Sequence, residues 1–374
     1  MPAPVIDGHI SSGFESVGEM FTRLWDDIEI GAALTVFRDN ERIIDLHGGF
    51  TDRNCTKPWT EDTLVNVYST SKGITAMALA CLVEDGLLDY SAPVAEYWPE
   101  FGAERKFDLT VTQALSHQAG LYTFNPAIET ADLYNWQSAT FNIASQVPSW
   151  TPGKGFGYHA ITWGFIAGEL IQRVTGESPG SYIRRRIAEP LSADVHLGLS
   201  ASEHHRCADL VGPNHARKVM PESKQHPVTF ERLRSNDPPL TPYKDVCSPD
   251  WRKAELPSSN MHATARGLAE CYRGMLDGTL VSGSTLRLAT EEITDGEVDL
   301  CFGRPVRRSR GFILNCDDCY AGPETAAFGH SGTGGSVAFA DPVNNISFAY
   351  VMNQMDRDGR ARANQLVASL FECL

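Results

Sequence analysis

The 374-residue sequence predicts an α+β fold, in which an antiparallel β-sheet flanked by helices is combined with a mostly helical domain. Two observations lead to this prediction. Strand-like runs lie near both ends of the chain, whereas helical patterns separated by long polar loops dominate between about residues 73 and 280. We therefore expect residues 1–75 and 280–374 to form one sheet domain from both termini, and residues 76–279 to form the helical domain.

The elements at the two ends follow from periodicity and turn chemistry. In chain order they are a helix over 15–25, strands over 32–38, 42–46, 336–340 and 346–351, and a helix at the C-terminus. Asp39-Asn40 separates the first two strands, and residues that tolerate a positive φ favour a tight hairpin there. The C-terminal helix is predicted from an apolar stripe that includes Leu366, Leu370 and Phe371.

The most informative segment is the S-x-x-K sequence from Ser69 to Lys72, which opens an apolar helix. No charged residue lies between Gly73 and Val83, so this helix is expected to be buried on most sides, and Gly86 is expected to terminate it. Residues three apart share a helix face, which places the serine hydroxyl beside the lysine amine. Burial and the helix dipole both lower the pKa of such a lysine, so the amine can activate the serine. The structural alternative is a helix N-cap followed by a surface lysine.

Two further segments are candidates for the same site. Tyr158 follows a glycine-rich approach and precedes a helix that is expected to stop at Gly176; its phenol would either project into a cleft or pack. The second segment, residues 328–336, contains His330 and several glycines and enters a strand. Glycines in a strand mark a close approach of another group or, alternatively, a bulge.

Together, the three segments resemble the serine β-lactamase and penicillin-binding-protein superfamily, whose motifs are S-x-x-K, a tyrosine-containing second element and a K-T-G-like strand. The resemblance spans nearly the whole chain and is closer to family VIII carboxylesterases, which have the class C β-lactamase fold and favour esters. Further segments that carry it are Gly31-Ala32-Ala33, Leu115-Ser116-His117-Gln118-Ala119-Gly120-Leu121, Gly157-Tyr158-His159-Ala160 and Phe339-Ala340-Asp341-Pro342. It implies an antiparallel sheet of five or more strands, a helical domain and an active site at the interface of the two.

The resemblance also implies roles for individual residues. Ser69 would be the nucleophile that accepts the acyl group, with Lys72 and Tyr158 as its base system. The backbone N–H groups of Ser69 and Thr333 would form the oxyanion hole. Tyr158 would act as the base or as the proton shuttle to the leaving alkoxide. Which of Lys72 and Tyr158 takes the first proton stays open, because the two groups would titrate as a coupled pair.

Two departures from the β-lactamase motifs favour esters as substrates. Ala160 stands where the second motif has asparagine, and His330 stands where the third motif has lysine. Histidine is mostly neutral at pH 7, so the third motif lacks the fixed cation that would help to hold the carboxylate of a β-lactam. We expect His330, Ser331 and Gly332 to bind the substrate and Gln118 to line the mouth of the site.

The expected activity is that of a serine carboxylesterase, which hydrolyses short-chain carboxylic esters through an acyl-enzyme on Ser69. An acyltransferase, a β-lactamase or a D-amino-acid peptidase would use the same groups. A non-catalytic binding protein that kept the fold is an alternative of a different class. The sequence contains no G-x-S-x-G, P-loop, Rossmann or metalloprotease motif.

Composition narrows the partners and the compartment. The 47 acidic and 32 basic residues give a net charge of −15, which argues against nucleic acid and membrane surfaces as partners. The lone Cys316-x-x-Cys319 pair lacks the four ligands of a zinc site, so neither a metal nor a cofactor is expected. Nine scattered cysteines, and an N-terminus without the features of a secretory signal, predict reduced thiols and a cytoplasmic location. The sequence does not specify an oligomeric state.

Two remaining features are assigned to structure and to the site entrance. His117 is expected to be structural, as a cation at the C-terminus of a helix, where positive charge suits the helix dipole. The polar segment over residues 200–258 is expected to shape the mouth of the substrate site.

Overall fold

The computed structural model describes residues 4–212, 233, 235–316, 320–356 and 359–374. Its strands are β1 (Ile6–Ile10), β2 (Gly31–Arg38), β3 (Glu41–Gly49), β4 (Val65–Asn66), β5 (Val195–His196), β6 (His262–Ala263), β7 (Val298–Asp299), β8 (Arg304–Pro305), β9 (Ile313–Leu314), β10 (Phe328–Ser331), β11 (Val337–Asp341) and β12 (Ile346–Met352). Its α-helices are α1 (Glu15–Arg23), α2 (Ser71–Glu84), α3 (Val94–Tyr97), α4 (Val111–Leu115), α5 (Trp136–Ser145), α6 (Thr162–Thr175), α7 (Pro179–Ile183), α8 (Glu189–Leu191), α9 (Pro249–Lys253), α10 (Ala265–Leu276), α11 (Gly283–Thr290) and α12 (Ala361–Phe371).

The main sheet has seven strands in the order β1-β3-β2-β12-β11-β10-β9, and all neighbours are antiparallel. β2 pairs with β12, so strands from the two ends of the chain meet in the middle of the sheet. This arrangement confirms the predicted α+β class. The β2–β3 hairpin also forms as predicted, with φ values of 50° at Asp39 and 66° at Asn40, as a type I′ turn requires. The edge strands β1 and β9 were not predicted.

Helices cover both faces of this sheet. Thr35 and Asp45 face each other across β2 and β3, and Asp45 accepts hydrogen bonds from Arg266 on α10. Side chains alternate along a strand, so the neighbouring Leu46 points to the opposite face, where α1 packs against it at Gly18. α12 packs against α1 on that second face.

The apolar helix α2 is the element that carries the S-x-x-K sequence into the interior. Every residue from Ser71 to Leu82 is buried, as the absence of charge predicted. Gly86 follows the helix with a φ of +70°, and Gly176 ends α6 with a φ of +73°; both predicted helix ends are confirmed. α2 packs against α6 and α11, and it contacts β10 of the sheet.

The proposed division at residues 75 and 76 falls within α2, and α10 packs on the sheet. The two-domain organisation stays a prediction. Among the residues that the structure describes, none of the helices combines the length and the apolar character needed to cross a bilayer. Cys316 is a free thiol, whereas Cys319 lies outside the described residues, as do residues 213–232 and 234 of the polar segment expected at the site entrance.

Candidate active site

Ser69 lies in a short turn that leads directly into α2. The sequence placed Ser69 in the first turn of the α-helix; instead, Tyr68–Thr70 form a 3₁₀ turn and the α-helix begins at Ser71. Tyr68 has a φ of +45°, an uncommon conformation for a bulky residue. The Ser71 hydroxyl secures the turn, since it donates to the Tyr68 carbonyl at 2.5 Å and accepts from the backbone N–H of Met261 at 3.1 Å. Ser69 itself remains partly exposed.

Lys72 is fully buried, and its Nζ contacts three uncharged oxygen atoms. They are Ser69 Oγ at 3.3 Å, the Ala160 carbonyl at 2.7 Å and the Ser258 carbonyl at 3.1 Å. Burial lowers the pKa of this amine well below its ordinary value, and the positive charge of Arg308 lowers it further. A neutral amine has two N–H donors and one lone pair. Carbonyls only accept hydrogen bonds, so in the neutral form the two N–H groups of the amine donate to the two carbonyls. The lone pair of the nitrogen can then accept from the Ser69 hydroxyl.

Tyr158 approaches Ser69 from the other side. Its hydroxyl donates to Ser69 Oγ at 2.7 Å, and Lys72 Nζ lies 4.9 Å from the centroid of its ring. Burial raises the pKa of Tyr158 to about 12, so the phenol keeps its proton near neutral pH. The structure therefore brings together the three residues that the sequence singled out as catalytic candidates, with an amine of lowered pKa and a phenol of raised pKa in contact with the same oxygen atom.

The backbone around Tyr158 is held by a buried histidine. Tyr158 lies in a loop four residues before α6, rather than at the helix start. The Gly157 N–H donates to the His117 carbonyl at 3.2 Å, and the His159 N–H donates to His117 Nδ1 at 3.0 Å. An imidazole nitrogen that accepts is unprotonated, and burial holds the pKa of His117 well below its ordinary value. His117 is structural as predicted, but the prediction that it acts as a cation is wrong.

The third motif meets the nucleophile through close backbone contact. β10 ends at Ser331, and a Cβ atom on the next residue, Gly332, would lie 2.2 Å from the Val67 carbonyl oxygen. The Ser336 hydroxyl donates to that same carbonyl at 2.9 Å. Only glycine fits at position 332, and the exposed Thr333 follows it in the turn toward β11. The turn is therefore packed against the segment that leads into Ser69.

His330 and Gln118, both expected to contact substrate, have defined protein partners. His330 is 2% exposed, its Nδ1 donates to the Ser331 carbonyl at 2.8 Å, and its ring lies 6.2 Å from that of Tyr158. Burial lowers the pKa of His330 well below its ordinary value, so the third motif carries no charge at this position. The Gln118 side-chain amide donates to Ser116 Oγ at 2.9 Å, and the Gln118 backbone carbonyl accepts from the Trp150 indole N–H at 3.3 Å. Gln118 thus supports the loop that leads to Tyr158.

Two charged residues beside the site were not predicted from the sequence. Arg308 and Asp299 form a buried ion pair, with Nη2 and Oδ2 2.9 Å apart, next to the Tyr158 ring. Arg308 is one of four arginines from Arg304 to Arg310, and nothing in that run marks which of them lies beside Tyr158. The Ser258 carbonyl was missed for a similar reason, because a backbone acceptor has no sequence signature.

The seven-stranded antiparallel sheet, the buried helix and the Ser69–Lys72–Tyr158 cluster define the class of β-lactamase-like serine hydrolases. Comparison with known sequences agrees with this class. The model of the β-lactamase family matches residues 19–371, and the chain belongs to that family.

Individual relatives are similar over most of their length. The chain is 32% identical over 347 residues to the esterase/beta-lactamase LipL of Mycobacterium tuberculosis, an alignment that covers 87% of this chain and 77% of LipL. The crystal structure of a family VIII carboxylesterase has 37% identity and a TM-score of 0.89, and it covers 99% of this chain and 100% of that one. A penicillin-binding-protein homologue from Caulobacter crescentus has 36% identity and a TM-score of 0.88, with the same coverage.

Proposed function

We propose that the protein is a serine carboxylesterase that hydrolyses short-chain carboxylic esters through an acyl-enzyme on Ser69. The single observation that carries this proposal is the pair of contacts on Ser69 Oγ, from Lys72 Nζ at 3.3 Å and from the Tyr158 hydroxyl at 2.7 Å. The similarity to a family VIII carboxylesterase over the whole chain supports the same activity.

The first step is proton transfer from the Ser69 hydroxyl to Lys72. The lowered pKa of Lys72 and the raised pKa of Tyr158 favour the amine as the base, because the lone pair of a neutral amine is available and a phenolate is not. Ser69 Oγ then attacks the ester carbonyl carbon and forms a tetrahedral intermediate. Two backbone N–H groups, those of Ser69 and Thr333, would stabilise its oxyanion.

The second step returns the proton to the leaving group. As the C–O bond to the alkoxide breaks, Tyr158 donates its phenolic proton to that oxygen and recovers a proton from the Lys72 ammonium. The alcohol leaves and the acyl group stays on Ser69. A water molecule, deprotonated by the same pair of groups, then attacks the acyl carbonyl, releases the carboxylic acid and restores the Ser69 hydroxyl.

The preference for esters over β-lactams rests on charge. His330 is buried and neutral at the position where the resemblance places a lysine in β-lactamases. A penicillin or cephalosporin would bring its carboxylate to a strand that offers no cation at this position, and an unpaired buried charge is costly. An uncharged ester has no such cost. Ser331 and Gly332 are proposed to line the acyl side of the site, and Gln118 its mouth.

The test is a panel of p-nitrophenyl esters from acetate to decanoate, with nitrocefin alongside. We expect rapid turnover of the short esters, slow or absent turnover of nitrocefin, and loss of both in Ser69→Ala. Strong nitrocefin hydrolysis with negligible ester turnover would overturn the assignment. Transfer of the acyl group from Ser69 to an added alcohol in preference to water would identify an acyltransferase, and a Ser69 that a fluorophosphonate fails to label would identify a binding protein.

We also propose that the protein works in the cytoplasm. None of the eight cysteines that the structure describes takes part in a disulfide bond. Reduced cysteines in this number are typical of a reducing compartment.

A further inference from the structure

A buried ion pair contacts the backbone of Tyr158. Asp299 and Arg308 have side chains that are 0% and 1% exposed, and they are joined at 2.9 Å. The second carboxylate oxygen, Asp299 Oδ1, accepts from the backbone N–H of Tyr158 at 3.2 Å. It also accepts from Cys301 at 2.9 Å and from Phe302 at 3.0 Å. One carboxylate thus holds Tyr158 and the turn after β7 in a fixed relation.

The guanidinium of the same pair lies on the aromatic face of Tyr158. Arg308 Cζ is 5.0 Å from the centroid of the Tyr158 ring and 5.8 Å from that of Phe302. The two rings stack on each other with 5.0 Å between their centroids. A desolvated cation at this distance from an aromatic face restricts the orientation of the ring. The Tyr158 hydroxyl at the far end of that ring is the group that meets Ser69 Oγ.

We propose that the Asp299–Arg308 pair is the positioning device of the active site: Asp299 fixes the backbone of Tyr158, and Arg308 supplies the fixed positive charge that the third motif lacks. This inference rests on the proposed function, because the ion pair would affect catalysis only through Lys72 and Tyr158. Neither residue touches the reacting oxygen, so both are positioning residues. A cation that is buried and paired in this way organises the catalytic groups and is not offered to a substrate carboxylate.

The electrostatic consequence falls on Lys72. Among the residues that the structure describes, the titratable and charged groups that contact its amine or interact with it electrostatically are Arg308, Asp237, Tyr158, His117, His159 and His330. The three histidines are buried with lowered pKa values and Tyr158 keeps its proton, so Arg308 is the positive charge among these groups. Arg308 lowers the pKa of Lys72, while Asp237 raises it by a smaller amount. Removal of Arg308 therefore makes the amine more basic and keeps it protonated to higher pH.

The experiment follows the rate at which a fluorophosphonate labels Ser69 as a function of pH. Labelling needs an activated serine and no particular substrate. In the wild type the rate rises with pH as Lys72 loses its proton. We expect Arg308→Gln to move this acid limb up by roughly one pH unit, the size of one nearby buried charge. Asp299→Asn breaks the same ion pair but leaves the guanidinium uncompensated, so its acid limb stays in place or moves down. Arg308→Lys keeps the charge and should keep the wild-type limb.

The acid limb is expected to rise in Arg308→Gln but not in Asp299→Asn, and this difference separates an electrostatic effect from simple structural damage. Loss of either charge strands the other one in the interior, and both variants lose stability for that reason. If Arg308→Gln fails to fold, the double variant Asp299→Asn with Arg308→Gln strands no charge, and it should still show the raised limb. An acid limb that Arg308→Gln or the double variant leaves unmoved, or that Asp299→Asn also raises, would overturn the inference.

The outcome also separates this inference from the proposed function. A wild type that is labelled with the expected pH limbs but hydrolyses no ester would contradict the esterase assignment alone. If the wild type hydrolyses esters but Arg308→Gln has the same acid limb as the wild type, only the positioning role would be contradicted. A Ser69 that no fluorophosphonate labels would overturn both.

Discussion

The neutral state of Lys72 can be tested without any substrate, through the stability of the protein. The folded state lowers the pKa of this buried amine well below its ordinary value, while the unfolded chain restores ~10.4. Between those two pKa values the unfolded state holds one more proton than the native state, so the free energy of unfolding rises with pH. The slope is about 1.4 kcal/mol per pH unit. Below the folded pKa the penalty is full and constant, and above the unfolded pKa it vanishes.

Lys72→Met removes the titrating group and keeps an unbranched apolar side chain in its place. The variant also strands the carbonyls of Ala160 and Ser258, a cost of about 1–3 kcal/mol for each buried acceptor that does not depend on pH. The unfolding free energy of the variant minus that of the wild type should therefore fall by about 1.4 kcal/mol between pH 8 and pH 9, whatever its absolute value.

The assay is urea unfolding of both proteins, followed by tryptophan fluorescence at each pH. The same variant should lose roughly 10²- to 10⁴-fold in kcat/KM on p-nitrophenyl butyrate, the range for loss of a general base. Lys106→Met is the matched control, because Lys106 is also a buried lysine that donates to a carbonyl, that of Gln146, and burial lowers its pKa to about 8. The control should keep its activity. Parallel pH curves for the wild type and Lys72→Met would mean that Lys72 stays protonated in the fold, and the proposed base would be refuted.

Two other substitutions probe the groups around Ser69. Tyr158→Phe removes the hydroxyl that donates to Ser69 Oγ; steady-state kinetics should show kcat reduced by roughly 10²-fold or more with little change in KM, and a kcat within twofold of the wild type would contradict the proton-shuttle role. Gly332→Ala places a Cβ 2.2 Å from the Val67 carbonyl and must push the third motif away from the nucleophile, so kcat/KM should fall at least ~10²-fold. Gly212→Ala, where no atom of the described residues lies within 4 Å of the new Cβ, is its control and should remain active; equal activity in the two alanine variants would argue against close packing at residue 332.

The chemistry of the site depends on groups whose state the sequence does not reveal. His117 is an example, since its position after a helix was correctly predicted while its charge was not. Whether an imidazole is neutral depends on what surrounds it, and here the His159 N–H and the protein interior decide the matter. Arg308 is another example, because nothing in the sequence distinguishes it from the arginines around it. Its burial beside Asp299 is what places its charge next to the active site.

The local elements and their chemistry can be predicted from the order of the residues alone. An uncharged apolar run is buried because burial of charge is costly, the Asp39-Asn40 turn tolerates positive φ, and glycine ends α2 and α6. The S-x-x-K spacing brings Ser69 to Lys72, because residues three positions apart stay close in any helical turn. These features depend on neighbours along the chain, so they can be recognised without the fold.

The way in which distant segments meet at Ser69 depends on the packing of the whole fold. Tyr158 is 89 positions away from Ser69, and the Ser258 carbonyl that accepts a hydrogen bond from Lys72 is 186 positions from the lysine. The contacts form because α2 is enclosed by other helices and by β10. This packing fixes the loops that lie at the N-terminal end of α2. The charge states of Lys72 and His330 have the same origin: packing excludes water, and the loss of hydration disfavours the charged forms.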